Sequence, residues 1–248
     1  MCYHDSQDFD YFDIVNYYKS ARFSSVLEEM MSVRRYHVNG FDHVHSPVFK
    51  TDGEVVPMQW GLIPGWTKSW TEALQMRTRT LNCISEEAYD KPSYRDSLKT
   101  GKRCLIPITG FFEWRWADAR GKNKYPYYIR VKEQKIFSLA GIYASWVNKE
   151  TGEELLTYSV LTTKANPLME KIHNSKKRMP VIIPREMEQD WLNPQLAKDD
   201  VLAFCQPYDQ AKMEAYTIGK LITSRSVDPN QPGVYARVEY PELALLDG

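Results

Sequence analysis

The run Cys104-Leu105-Ile106-Pro107-Ile108-Thr109-Gly110-Phe111-Phe112-Glu113-Trp114 decides how the rest of the chain is read. Its first five residues form an apolar stretch of strand length, and a Thr-Gly break follows them. Strand-like runs of the same kind recur at residues 33–38, 55–62, 127–131, 136–143, 156–162 and 179–183. Gly61, Pro64-Gly65, Pro107, Gly121 and Pro126 punctuate the series. Helical spacing of apolar and aromatic residues appears at 8–19 and 23–32, and again at 185–192 and 198–206. Asn166-Pro167 supplies a cap and first turn for a short helix reaching Ile172. Many short, irregularly spaced strands with few crossover helices predict an α+β domain around a mainly antiparallel, barrel-like sheet. No internal repeat or low-complexity linker interrupts the chain, so residues 1–248 are read as one domain.

Composition narrows the function classes. The 248 residues are 43% hydrophobic and 26% charged, the balance of a folded globular chain. Seven Trp, 16 Tyr and 9 Phe could fill a core or line a groove. No apolar run approaches the ~18 residues of a membrane span, and the first residues lack the basic and apolar regions of a secretion signal. A cytoplasmic setting follows, with Cys2, Cys83, Cys104 and Cys205 expected as reduced thiols. The 32 basic and 32 acidic residues cancel overall, yet they are not evenly spread. Residues 102–178 hold 15 Lys or Arg against 7 Asp or Glu. That imbalance suits either one basic face turned towards a polyanion or two solvated loops.

A few side chains stand out for chemistry. Loss of Met1 would leave Cys2 with an amine and a thiol on neighbouring carbons. An aldehyde reacts with such a pair in two steps, first to a Schiff base and then to a five-membered thiazolidine. The groups' reference pKa values, about 7.7–8.0 and ~8.5, put both near neutrality. Glu113 lies among Phe111, Phe112, Trp114 and Trp116, where desolvation would favour its protonated form and suit it to moving protons. The opposing reading is an alternating strand with Glu113 on its wet face. His173, among Lys171, Lys176, Lys177 and Arg178, is expected to stay neutral and able to exchange protons, unless it is an ordinary surface residue. Asn82 is a positioning amide or a turn residue. Cys2, His4, His37, His43 and His45 lack the paired spacings of a zinc site, so no metal and no cofactor are expected.

These motifs occur in a fixed order: Met1-Cys2, Trp60-Gly61-Leu62-Ile63-Pro64-Gly65-Trp66, Asn82 before Ser85-Glu86, Gly110-Phe111-Phe112-Glu113-Trp114, and Ile172-His173 leading to Arg178-Met179-Pro180. The series resembles the SOS response-associated peptidase (SRAP) family, whose members shield abasic sites in single-stranded DNA. The resemblance runs from residue 2 to beyond residue 183, and Tyr216–Tyr235 looks like the family's closing segment.

It implies that Cys2, exposed by autocatalytic removal of Met1, forms a thiazolidine cross-link with the aldehyde of an abasic deoxyribose. Asn82 would position the cysteine, Glu113 would carry protons, and His173 would act at the sugar's ring-opening oxygen. Trp66 and Trp70 would meet bases, and Arg77, Arg79, Lys177 and Arg178 would meet phosphates. The expected partner is single-stranded DNA containing abasic sites, bound by a monomer associated with the nucleoid. Two positions depart from the family pattern: Tyr3-His4 stand where Gly-Arg is usual, and Ile84 stands where an arginine is usual. Two further readings are a non-catalytic single-stranded nucleic-acid module and a thiol peptidase acting in trans through Cys2, His173 and Asn82.

Overall fold

A computed structural model describes residues 2–224 and 226–246. Among the described residues the strands are β1 (His4–Gln7), β2 (Arg22–Phe23), β3 (Arg35–Asn39), β4 (His45–Lys50), β5 (Glu54–Trp60), β6 (Asn82–Ile84) and β7 (Arg103–Ile108). They continue as β8 (Gly110–Trp116), β9 (Lys124–Val131), β10 (Phe137–Val147), β11 (Glu154–Lys164), β12 (Arg178–Pro180), β13 (Ile182–Ile183) and β14 (Met213–Thr217). The α-helices are short: α1 (Tyr11–Tyr17), α2 (Leu27–Met30), α3 (Trp70–Arg79), α4 (Arg95–Lys99), α5 (Pro167–Ile172), α6 (Glu188–Trp191) and α7 (Lys198–Phe204).

Five strands close on themselves in the order β11-β10-β7-β4-β5. Four of the junctions are antiparallel, and the fifth is a parallel match of Thr157 with Gln59 and Tyr158 with Trp60. Closure removes the two edges that an open sheet would leave unpaired. Alternation along the strands then sorts the side chains onto two faces. Phe49, Val55, Leu105, Ala140, Ile142 and Leu161 pack under the helices with Ile14, Leu27, Leu98, Trp191 and Val201. Val48, Met58, Trp60, Ile106, Leu139 and Val160 gather on the opposite face, together with Cys2. The α+β, mainly antiparallel, barrel-like architecture expected from the sequence is therefore observed.

A second sheet, β14-β9-β8-β1-β3, leans against the barrel, and its hinge is the Thr109 turn between β7 and β8. Gly110 opens β8 because the Tyr128 ring lies where a side chain would be; a Cβ there would come within 2.3 Å of it. β1 sits between β8 and β3, pairing Asp5 with both Phe111 and Val38. That central place carries the start of the chain into the body of the molecule.

Local details differ from the sequence reading. The helix expected at 23–32 is a two-residue strand followed by a single turn, because the Ser24 amide donates to Val55 O and ties this segment to the barrel edge. The run at 179–183 is split into β12 and β13, which pair with different strands, β11 and β10. Residues 110–116 form a strand with Glu113 on its buried face, so the desolvated reading of that residue holds and the wet-face one does not.

Candidate functional site

The segment leading into β1, the strands β6 and β8, and the loop after α5 each deliver one side chain to the same place. Cys2 is 1% exposed, and its carbonyl accepts a hydrogen bond from Asn82 Nδ2 at 2.8 Å. Asn82 opens β6, which pairs in parallel with β11 through Val160, and its own carbonyl accepts from the Tyr94 hydroxyl at 3.1 Å. Its Oδ1 is buried and finds no hydrogen-bond partner among the described residues. Glu113 and His173 face each other, with Oε1 and Nδ1 3.8 Å apart and both side chains 6% exposed. The four expected site residues are thus brought together. Met1, whose removal the sequence reading expects, lies outside the described residues.

Burial controls the electrostatics. It pushes the Glu113 carboxyl up to about 7 and holds His173 down to about 4, with the Lys176 charge adding to the effect on His173. The Cys2 thiol is pushed well above its ordinary value by burial first, then by the charges of Glu113 and Asp5. At neutral pH the site therefore holds a protonated thiol, a neutral imidazole and a carboxyl poised near its midpoint. A carbonyl can only accept, so the 2.9 Å contact of His173 Nδ1 with Arg178 O puts the proton on Nδ1 and the lone pair on Nε2.

A cleft of about 410 Å³ opens over Glu113 and His173, walled by Tyr3, His4, Trp114, Trp116 and Lys124, with Cys2 buried beneath its floor. One wall was invisible to sequence reasoning. His4 and His37 stack with ring centres 5.1 Å apart and share a 2.9 Å Nδ1–Nε2 hydrogen bond, His4 lying edge-on to Trp114 and His37 edge-on to Phe112. Burial holds His4 down to about 3, so the pair is neutral. Asn174 was also missed. It accepts from the Trp116 amide at 3.0 Å and donates to the Trp116 carbonyl at 2.8 Å, fastening the His173 loop to the strand that carries Glu113. Buried Asp5, pushed up to about 8 by its surroundings, completes the polar interior beside Cys2.

The residues expected to contact DNA occupy different ground. Trp66 and Trp70 are 45% and 37% exposed, and the Arg77 guanidinium lies 5.8 Å from the Trp70 ring centre. Arg79 ends the same helix, α3, only three residues before Asn82. Gly61 lets the barrel pass close beneath that helix, at φ +111° and with no room for a side chain against Arg77 O. Lys177 is exposed on the His173 loop. Arg178 points elsewhere, with its guanidinium on the Glu86 carboxylate at 2.7 and 2.8 Å.

The fold and the site together define a small-barrel protein whose first residues are drawn inside to meet an acid and an imidazole. A sequence model described as SOS response associated peptidase (SRAP) matches residues 1–225, and the chain belongs to that family. Abasic site processing protein YoqW of Bacillus subtilis is 42% identical over 168 residues, which is 67% of this chain and 70% of that protein. Abasic site processing protein HMCES of Gallus gallus is 31% identical over 170 residues, 61% of this chain and 48% of its own. A crystal structure of a protein from Bacteroides thetaiotaomicron superposes with a TM-score of 0.88 at 40% identity, covering 96% of this chain and all of that one.

Proposed function

We propose that the protein processes abasic sites by capturing them covalently in single-stranded DNA through Cys2. The observation that carries this reading is the convergence on Cys2 of an amide that grips its backbone and a carboxyl–imidazole pair beside it. The relatives named for abasic site processing point to the same lesion.

The chemistry runs in balanced steps once Met1 is hydrolysed from Cys2. His173, through its unprotonated Nε2, assists opening of the deoxyribose hemiacetal, which releases the C1′ aldehyde. The Cys2 amine adds to C1′, and Glu113 in its acid form protonates the departing hydroxyl, so that one water leaves and a Schiff base remains. Glu113, now a carboxylate, accepts the thiol proton as sulfur adds to the same carbon. The product is a thiazolidine ring, and reversing the steps releases the aldehyde. Holding amine and thiol on one residue makes the second attack intramolecular, which is worth several kcal/mol of barrier. The orphan Oδ1 of Asn82 offers an acceptor for the amine or for a sugar hydroxyl.

Outside the cleft, Trp66 and Trp70 would stack bases, with Arg77, Arg79 and Lys177 on phosphates. The test is mass analysis of the protein incubated with an abasic-site oligonucleotide. The expected product is one heat-stable adduct, of protein lacking Met1 plus DNA minus one water, which Cys2→Ala cannot form. Equal cross-linking by Cys2→Ala would overturn the mechanism.

A further inference from the structure

At its C-terminal end β11 changes neighbours on both edges. β6 pairs with it in parallel through Thr162 and Ile84, and β12 pairs antiparallel through Lys164 and Arg178. Asn82 begins the first of these flanking strands, and the loop bearing His173 leads directly into the second. Arg178 reaches across the strand between them. Its Nη1 and Nη2 donate to the two oxygens of Glu86 at 2.7 and 2.8 Å, and Nη2 also donates to the Thr162 carbonyl at 2.6 Å. Glu86 lies in the Ser85–Glu87 turn that follows β6. The Arg178 carbonyl, in turn, is the acceptor that fixes Nδ1 of His173.

We infer that Glu86 and Arg178 form a clamp across β11 that sets His173 in register with Asn82 and holds its Nδ1–H tautomer. Both are positioning residues, and the inference rests on the proposed roles of Asn82 and His173. A two-point guanidinium–carboxylate fork fixes direction as well as distance, which a single charge cannot do. The Arg178 side chain is 15% exposed and the Glu86 side chain 41%, so the guanidinium is held on the protein while the carboxylate keeps one side to solvent. Among the described residues, Glu113 on β8 faces His173 and Lys176 on its own loop adds its charge, and neither replaces the carbonyl that orients it. An Arg178 that held phosphate would have to release Glu86, so the clamp and the phosphate role predict different measurements.

The experiment uses the full chain and an abasic single-stranded oligonucleotide, with Glu86→Gln, Arg178→Gln and the double variant. With the clamp, each single variant slows single-turnover cross-linking at saturating DNA by about tenfold or more. The double variant is no slower than the worse single one. Affinity for the undamaged oligonucleotide stays within about twofold, and its salt slope is unchanged. Nitrogen-15 spectra of His173 show a single Nδ1–H form in the wild type and a mixture of tautomers in Glu86→Gln. The inference is overturned if Arg178→Gln weakens DNA binding with a slope reduced by about 0.7 while Glu86→Gln cross-links at the wild-type rate. Should a Gln variant fail to fold, Glu86→Asp keeps the charge and shortens the reach, and the same rate and tautomer readings decide. A wild-type protein that forms no adduct refutes the proposed function instead, and the His173 spectra then judge the clamp alone.

Discussion

The buried site around Cys2, with the cleft above it, and the surface of α3 are joined by only two residues of chain, Thr80 and Leu81, and are built on opposite plans. In the site, Cys2, Asn82, Glu113 and His173 are all less than 9% exposed. Hydrogen bonds between a side chain and a backbone carbonyl hold all three of Cys2, Asn82 and His173: Asn82 to Cys2 O, Tyr94 to Asn82 O, and His173 to Arg178 O. On α3 only Ala73 is buried, and Trp70, Leu74 and Arg79 face outward. Burial shifts proton affinities and makes acid–base chemistry feasible near neutral pH. Exposure leaves rings and charges ready for a long polyanion but does little to their reactivity. The contrast divides the proposed reaction into a cleft that sets rate and a helix that sets affinity.

Glu113→Gln gives the sharpest break between the two. An amide keeps the shape of the carboxyl but cannot shuttle a proton, so reversal of the cross-link should slow by about 10²–10⁴-fold. Affinity for single-stranded DNA should stay within about twofold, measured by fluorescence anisotropy beside gel-based release rates. Equal losses in both would mean that the cleft and the helix are not separable. The same variant probes burial directly. The carboxyl titrates at about 7 in the folded protein against an ordinary 4.5, so the folded state binds the proton more tightly than the unfolded one. Wild-type stability therefore falls as pH rises from about 4.5 through 7, and Glu113→Gln escapes that fall. Urea unfolding should find the variant more stable by roughly 3 kcal/mol at pH 8 and nearly equal to wild type at pH 4. A gap that does not change with pH would show that Glu113 is ionised without cost.

What the sequence made legible follows the same division. Glu113 announced its desolvation through its aromatic neighbours. His173 was expected to be neutral because of its cations, but burial is the larger cause and only Lys176 among those cations adds to it. Neither Glu86–Arg178 nor Asn174–Trp116 left a local trace, because the partners are 92 and 58 residues apart. β4, His45–Lys50, was hidden by Pro47 in its middle, which argues against a central strand. β1 was hidden by polarity: His4-Asp5-Ser6-Gln7 reads as a loop, yet Asp5, Ser6 and Gln7 are buried. Helix α3 buries so little that it has no apolar stripe to detect. Its start is fixed by side chains that the sequence reading did not single out: Ser69 accepts from the Glu72 amide, and Glu72 accepts from the Lys68 amide. Four of the five barrel strands, β5, β7, β10 and β11, were found because packing on both faces makes them apolar runs; the pieces that build the site answer to partners rather than to periodicity.

The smallest expected effects lie on α3 and at Trp66 in the turn before it, where rings and charges should separate. Trp66→Ala and Trp70→Ala each remove one stacking surface, worth about 1–3 kcal/mol of affinity. Stacking releases no counterions, so the slope of log affinity against log salt should not change. Arg79→Ala should lower that slope by about 0.7 and cost little affinity at high salt, where the phosphate contact is already weak. Arg77 falls between these cases, because its guanidinium lies against the Trp70 ring and its Nη1 donates to Gln59 at 3.4 Å. Loss of Arg77 should therefore disturb the ring as well as the charge and combine with Trp70→Ala less than additively. Titrations at four salt concentrations, with cross-linking rates at saturating DNA as the control, separate the outcomes. A Trp variant that cross-links slowly at saturation would bring α3 into the chemistry and erase the division between helix and cleft.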